Sequence, residues 1–240
     1  MKQVLDIVKK EVREYISSPV AYIVIGVFSL LVGVYFSRYV FVDNQANLRK
    51  LFEFIPLIWI VFIPALTMKS FSEELKSGTL EVLMTLPVTK AQIIIGKFIS
   101  NLVMVLLMLF LTTPAIVTIN YLGNPDIGQT IVAYFGLVLL ASAYIFIGLA
   151  VSIKSRNQIV AFILSAFIIA ILYGIGEVQV LTIIPSRYRD YFELLGMGAH
   201  FRSIARGVLD SRDLIYYLTI LVLSYFYTLN SFQKIQSKGK

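Results

Sequence analysis

The chain contains no cysteine and a single histidine. Without cysteine there are no disulfides, no thiolate metal ligands and no thiol nucleophile. His200 alone builds no multi-histidine metal site. Charge is scarce as well: 15% of the 240 residues are charged and 58% are hydrophobic. A soluble domain carries about 25% charged and roughly 45–50% apolar residues. The mean hydropathy of +0.82 points the same way, toward lipid. These shortages exclude a soluble enzyme. The length accommodates about six membrane spans of roughly 20 residues, and leaves no room for a separate catalytic domain.

What is present divides cleanly along the chain. Six apolar stretches stand out, near Val20–Phe36, Phe54–Met68, Phe98–Leu122, Ile131–Ile153, Ile159–Gly176 and Leu214–Phe232. The second is short, because Glu53 and Lys69 bracket it, and Pro56 and Pro64 predict a kink. The fold class predicted is all-α, a polytopic membrane protein with six transmembrane helices. Every charge falls outside these stretches, whereas ion-coupled transporters keep ionisable groups inside the bilayer. The interior polar residues Asn101, Thr112, Thr113, Asn120, Ser142 and Ser165 are expected to hydrogen-bond between helices or to their own backbone. With six spans, one side collects 13 of the 21 Lys and Arg residues and the other 8. Acids bring the first side to a net charge of +7 and the second to zero. The positive-inside rule then places both termini in the cytoplasm. The basic excess thus reads as membrane topology and not as a nucleic-acid signature.

Residues 2–16 form an amphipathic helix, part of an N-terminal segment over 1–19 that precedes the six-span domain over 20–240. At about 100° per residue, Val4, Leu5, Val8, Val12, Tyr15 and Ile16 share one arc, and Ile7 is the apolar misfit. Lys2, Asp6, Lys9, Lys10, Arg13 and Glu14 lie opposite, which predicts an interfacial helix. The loop over 69–97 is too long and too apolar for a solvated turn. Phe71, Leu75 and Val82 are spaced for one helical face, and Gly78 marks a break. A second short helix is expected over Thr79–Leu86, stopped by Pro87. Thr89 and Gln92 have capping-box spacing for the helix that enters the third span. The segment over 177–213 is too long for a plain hairpin. Two short re-entrant or interfacial helices are expected there, broken at Gly196-Met197-Gly198. Arg202, Arg206 and Gly207 are candidates for an external gate.

The pattern Glu74…Gly78-Thr79-Leu80-Glu81…Leu86-Pro87-Val88-Thr89…Gly96-Lys97, between spans two and three, resembles the ABC type-2 transporter permease family. The run from His200 to Tyr217 resembles its gliding-motility-associated subgroup, whose name does not establish gliding motility here. The resemblance implies a six-span permease that pairs with a second permease, identical or related, and binds two cytoplasmic ATP-hydrolysing subunits. It implies that the loop between spans two and three carries a coupling helix and that the N-terminal helix is a connecting helix touching the ATPase. On this likeness Glu73, Glu74, Gly78, Thr79, Glu81 and Pro87 are the coupling candidates. ATP and Mg would sit on the partner subunit, with no cofactor in this chain. The Lys-Ser pairs at 69–70, 76–77 and 154–155 lack the preceding glycines of a phosphate-binding loop. The expected role is export across the cytoplasmic (inner) membrane. Nothing in the spans marks a charged cavity, so a lipidic or amphiphilic cargo fits best.

Two other readings use the same residues. An ATP-powered machine that transmits force, or extracts lipid or protein, would have the same parts. An intramembrane lipid-modifying enzyme would need converging groups. Its candidates are Asp190, Glu193, His200, Asp210 and Asp213, weighed against ordinary pairing of those acids with nearby arginines.

Overall fold

The computed structural model describes residues 2–42, 47–80, 87–123 and 125–238. Every element among the described residues is helical. In chain order they are α1 (Lys2–Ser17), α2 (Pro19–Ser37) with a π-helical continuation at Arg38–Val42, α3 (Arg49–Thr67), α4 (Lys69–Ser77) and α5 (Lys90–Phe110). Then follow α6 (Thr113–Leu122), α7 (Ile127–Ser152), α8 (Gln158–Gly174), α9 (Val178–Ile183), α10 (Ser186–Leu195), α11 (Met197–Ala205) and α12 (Ser211–Lys238).

Five helical stretches are long and apolar enough to cross a bilayer: Pro19–Val42, Arg49–Ser77, Lys90–Leu122, Ile127–Ser152 and Ser211–Ile235. The fifth apolar stretch of the sequence becomes α8, which has 17 residues. At 1.5 Å per residue it runs about 25 Å, a little less than the hydrocarbon core. The apolar side chains face two ways. Tyr22, Ile23, Leu30 and Val34 of α2, Ile163 and Phe167 of α8, and Leu218, Val222 and Leu223 of α12 point outward. In water such faces would be costly; toward acyl chains they are matched.

Helix α7 is the centre of the bundle. From Leu140 to Ala150 every residue is buried. It packs against α3, α5, α8, α11 and α12. Mostly small and aliphatic side chains there, among them Ala141, Ser142, Ala143 and Gly148, let neighbouring helices approach closely. Ser142 returns its hydroxyl to Val138 O at 2.7 Å, and Ser165 donates to Ala161 O at 2.6 Å. Both satisfy themselves within their own helix, as expected. Thr112 Oγ1 instead meets Tyr134 Oη at 2.6 Å across helices.

Three boundaries differ from the sequence reading. The third apolar stretch is two helices, broken at Leu111–Thr112, where Pro114 has no N–H to continue the ladder. The loop from residue 69 onward is helical at once, since Met68 alone separates α3 from α4. The segment over 177–213 holds three short helices where two were expected, divided at Pro185 and Gly196. A further helix begins at Thr79 and Leu80, and the rest of its expected range, 81–86, lies outside the described residues, as do Val82 and the coupling candidate Glu81.

The amphipathic helix α1 is present, but its packed face is rotated from the expected arc. Leu5 and Ile16 are exposed, whereas Ile7, Glu11 and Tyr15 turn inward. The apolar stripe therefore serves two environments. One margin lies against α5, and the other is left open on the side flanked by Lys9 and Arg13.

Candidate functional site, a polar ladder joining three helices

Helices α1, α4 and the start of α5 meet at one end of the bundle, together with the end of α7. Helix α5 is launched by Thr89. Its Oγ1 accepts the Gln92 N–H at 3.3 Å, and the Gln92 side chain accepts the Thr89 N–H at 2.8 Å. This is the reciprocal cap read from the sequence. About two turns later Gly96 lies against Ile7 of α1. A Cβ at Gly96 would stand 2.6 Å from the Ile7 Cγ2, so only glycine admits α1 this close.

The closeness brings polar groups into register. Lys97 Nζ donates to Glu11 Oε1 of α1 at 2.7 Å and to Glu74 Oε1 of α4 at 2.8 Å. It also lies 5.2 Å from the centre of the Phe71 ring. One turn further, Asn101 Oδ1 accepts the Tyr15 hydroxyl of α1 at 2.9 Å, and Asn101 Nδ2 donates to Ser70 Oγ of α4 at 3.1 Å. Each helix thus supplies a pair four residues apart: 11 and 15, 97 and 101, 70 and 74. Side chains at that spacing lie on one helix face. With α4 running opposite to the other two, the pairs stack into two rungs, one ionic and one neutral.

Burial sets the character of the rungs. Lys97 is 2% exposed, and the Glu11 and Glu74 side chains are 7% and 13% exposed. An ammonium withdrawn from water this far is tolerable only when paired and hydrogen-bonded. Burial pushes the Tyr15 phenol well above its ordinary range, so it stays a donor, shared between Asn101 and Leu66 O at 3.0 Å. Around the ladder, Lys69 Nζ reaches Ser18 Oγ at 3.1 Å and Gln3 Nε2 reaches Pro87 O at 2.8 Å. Ser152 at the end of α7 accepts the Phe71 and Ser72 N–H groups, both at 3.1 Å, and donates to Met68 O.

The ladder forms one wall of a cleft of about 590 Å³ between α1 and α4. Glu11, Glu14, Glu73 and Glu74 line it, facing Lys10, Lys69 and Lys97. Here the sequence-derived coupling candidates separate. Glu73 is exposed in the cleft, and Glu74 is drawn inward to Lys97. Gly78 ends α4 with φ of 74°, a left-handed cap that side chains disfavour. Thr79 hydrogen-bonds Ser77 at 2.8 Å, and Pro87 holds Gln3 through its carbonyl. Sequence reasoning missed Lys97 and Glu11, having treated the first as a loop cation. A signal existed: Glu11 is the one acid between Ile7, Val8 and Tyr15 on the packed face of α1.

The opposite end of the bundle holds the gate candidates. Arg202 donates to Glu177 Oε2 and to Gly176 O, each at 2.7 Å, tying α11 to the end of α8. Arg206 is exposed at the end of α11, and Gly207 makes the turn with φ of 87°. Of the five residues weighed for an enzyme, only His200 and Asp213 meet, at 2.6 Å. The other ring nitrogen of His200 faces Leu194 O at 3.0 Å, and its ring stacks on Tyr216. Both nitrogens are engaged, which leaves none to act on a substrate. Asp210 accepts the Arg212 N–H at 3.0 Å, and Asp190 and Glu193 are exposed and apart from that pair.

No curated protein matches the chain. The model of a family described as ABC-2 family transporter protein matches residues 5–234. That range takes in the ladder, every candidate span and the short helices of the far end. The chain therefore belongs to the ABC-2 transporter family, as a multi-pass membrane permease of the kind that works with ABC ATP-binding subunits.

Proposed function

We propose that this chain is the membrane-spanning subunit of an ABC exporter, driven by ATP hydrolysis on separate cytoplasmic subunits. In this reading α8 is the fifth of six spans, its shortness met by local thinning of the bilayer. The end bearing α1 and α4 faces the cytoplasm. Lys9, Lys10, Arg13, Lys69, Lys76 and Lys90 cluster around it, in keeping with the positive-inside rule. Helix α4 is the coupling helix and α1 the connecting helix. A second permease completes the assembly, and the re-entrant role falls to α9, α10 and α11. The run from His200 to Tyr217 favours the gliding-motility-associated subgroup.

The observation that carries the reading is the bonding of α1 and α4 to the base of α5. Both helices carry mostly polar residues and lie at one end of the bundle, yet are tied to one transmembrane helix. A push on their exposed side is thereby delivered to a span, as a rigid-body switch requires. Co-purification with an ATP-binding subunit, followed by ATPase and transport assays in proteoliposomes, tests it. Glu74→Ala and Glu81→Ala are expected to lower transport-coupled hydrolysis with assembly intact. Normal coupling in both variants would remove α4 and its neighbour from this role.

A further inference from the structure

The ionic rung has one cation and two carboxylates. Lys97 is balanced by either partner alone, so one of the two acids is in excess. Their surroundings differ. Glu11 is the more deeply buried, and α1 is pinned on either side of it by the Ile7–Gly96 contact and the Tyr15–Asn101 hydrogen bond. Glu74 sits at the rim of the cleft with one carboxylate oxygen bonded to Lys97. Its other oxygen, Oε2, is buried and has no hydrogen-bond partner among the described residues. Helix α4 is held firmly at its first turn by Ser152 and Asn101, but Glu73, Lys76 and Ser77 around and beyond Glu74 are exposed.

We propose that Lys97 and Glu11 are the fixed half, and Glu74 the releasable half, of a charge latch that holds the C-terminal part of α4 against α5. When Glu74 leaves, Lys97 keeps Glu11 as its counter-ion, and the freed carboxylate regains water. Departure of Lys97 itself would strand two buried carboxylates. The cost of opening is therefore low on the α4 side and high everywhere else. Glu11 is a positioning residue: it acts by competing with Glu74 for one ammonium. The use of this latch in transport rests on the reading of α4 as the coupling helix, whereas the latch itself is a property of the chain alone.

The two glutamates make the test, because the same substitution has opposite consequences at each. The chain is reconstituted alone in lipid nanodiscs, and amide hydrogen exchange is followed over residues 69–77. Glu74→Gln removes the arm and is expected to speed exchange at 74–77 by about tenfold. Glu11→Gln removes the competitor, leaves Lys97 to Glu74, and is expected to slow exchange there by about threefold. Glu74→Asp, one methylene shorter, is to repeat the direction of Glu74→Gln with the charge retained. A purely structural ion pair would accelerate exchange in both glutamine variants alike. That result, or no change in either, would overturn the latch. Failure of the chain to co-purify with an ATP-binding subunit would bear on the proposed function and leave this measurement standing.

Discussion

The two ends of the bundle hold their helices together by different chemistry. At the end bearing α1 and α4, three helices remote in sequence share a lysine that is 2% exposed. At the other end, α11 is tied by Arg202 and Glu177, whose side chains are 27% and 22% exposed. A buried ion pair is costly to break one member at a time, because the remaining charge has no water. A part-exposed pair is cushioned by solvent. The first end thus moves as a connected unit while Glu74 is engaged, with Lys97 and Glu11 as its fixed pair, and the second rearranges piecewise, with α9, α10 and α11 as short separate helices.

Substitutions sharpen this contrast in a definite order. Lys97→Met strands two buried carboxylates and is expected to cost about 3–5 kcal/mol, read as the largest drop in thermal midpoint in detergent. Asn101→Ala removes the neutral rung, leaving the Tyr15 hydroxyl to Leu66 O alone and Ser70 without its amide donor, at about 1–3 kcal/mol by the same assay. Arg202→Ala, at the far end, is expected to cost about 1 kcal/mol, with faster exchange confined to α11 and the turn after it. Lys10→Ala breaks the exposed pair with Glu14 at 3.5 Å, and should cost less than about 0.5 kcal/mol, read as the smallest shift in midpoint. If Arg202→Ala proved as damaging as Lys97→Met, the two ends would not differ in the way described.

Much of the plan was legible in the sequence because it is written in local periodicities. Apolar runs, the Thr89–Gln92 cap, the amphipathic character of α1 and the end of α4 at Gly78 all depend on residues within one or two turns. What escaped was long-range. Ile7 looked like a misfit because the arc was drawn from apolar residues alone, whereas the packed face also holds Glu11. Lys97 looked like a solvated loop lysine because it stands just before the apolar run, and its partners lie 86 and 23 residues away. The break at Thr112 was signalled by Pro114 and went unread. The proposed enzyme cluster near His200 reduced to one pair whose ring nitrogens are both engaged.

The sequence by itself determined that this is a helical membrane protein. Burial of apolar surface is a sum over residues, and a helix satisfies its own backbone without help from distant segments. It also determined where α5 begins, since the Thr89–Gln92 cap is local. Only the tertiary structure decided which charges leave water. Whether Glu11, Glu74 and Lys97 are solvated or shared depends on how closely three helices approach. That approach is set by a glycine, an isoleucine and the register of α4 against α5.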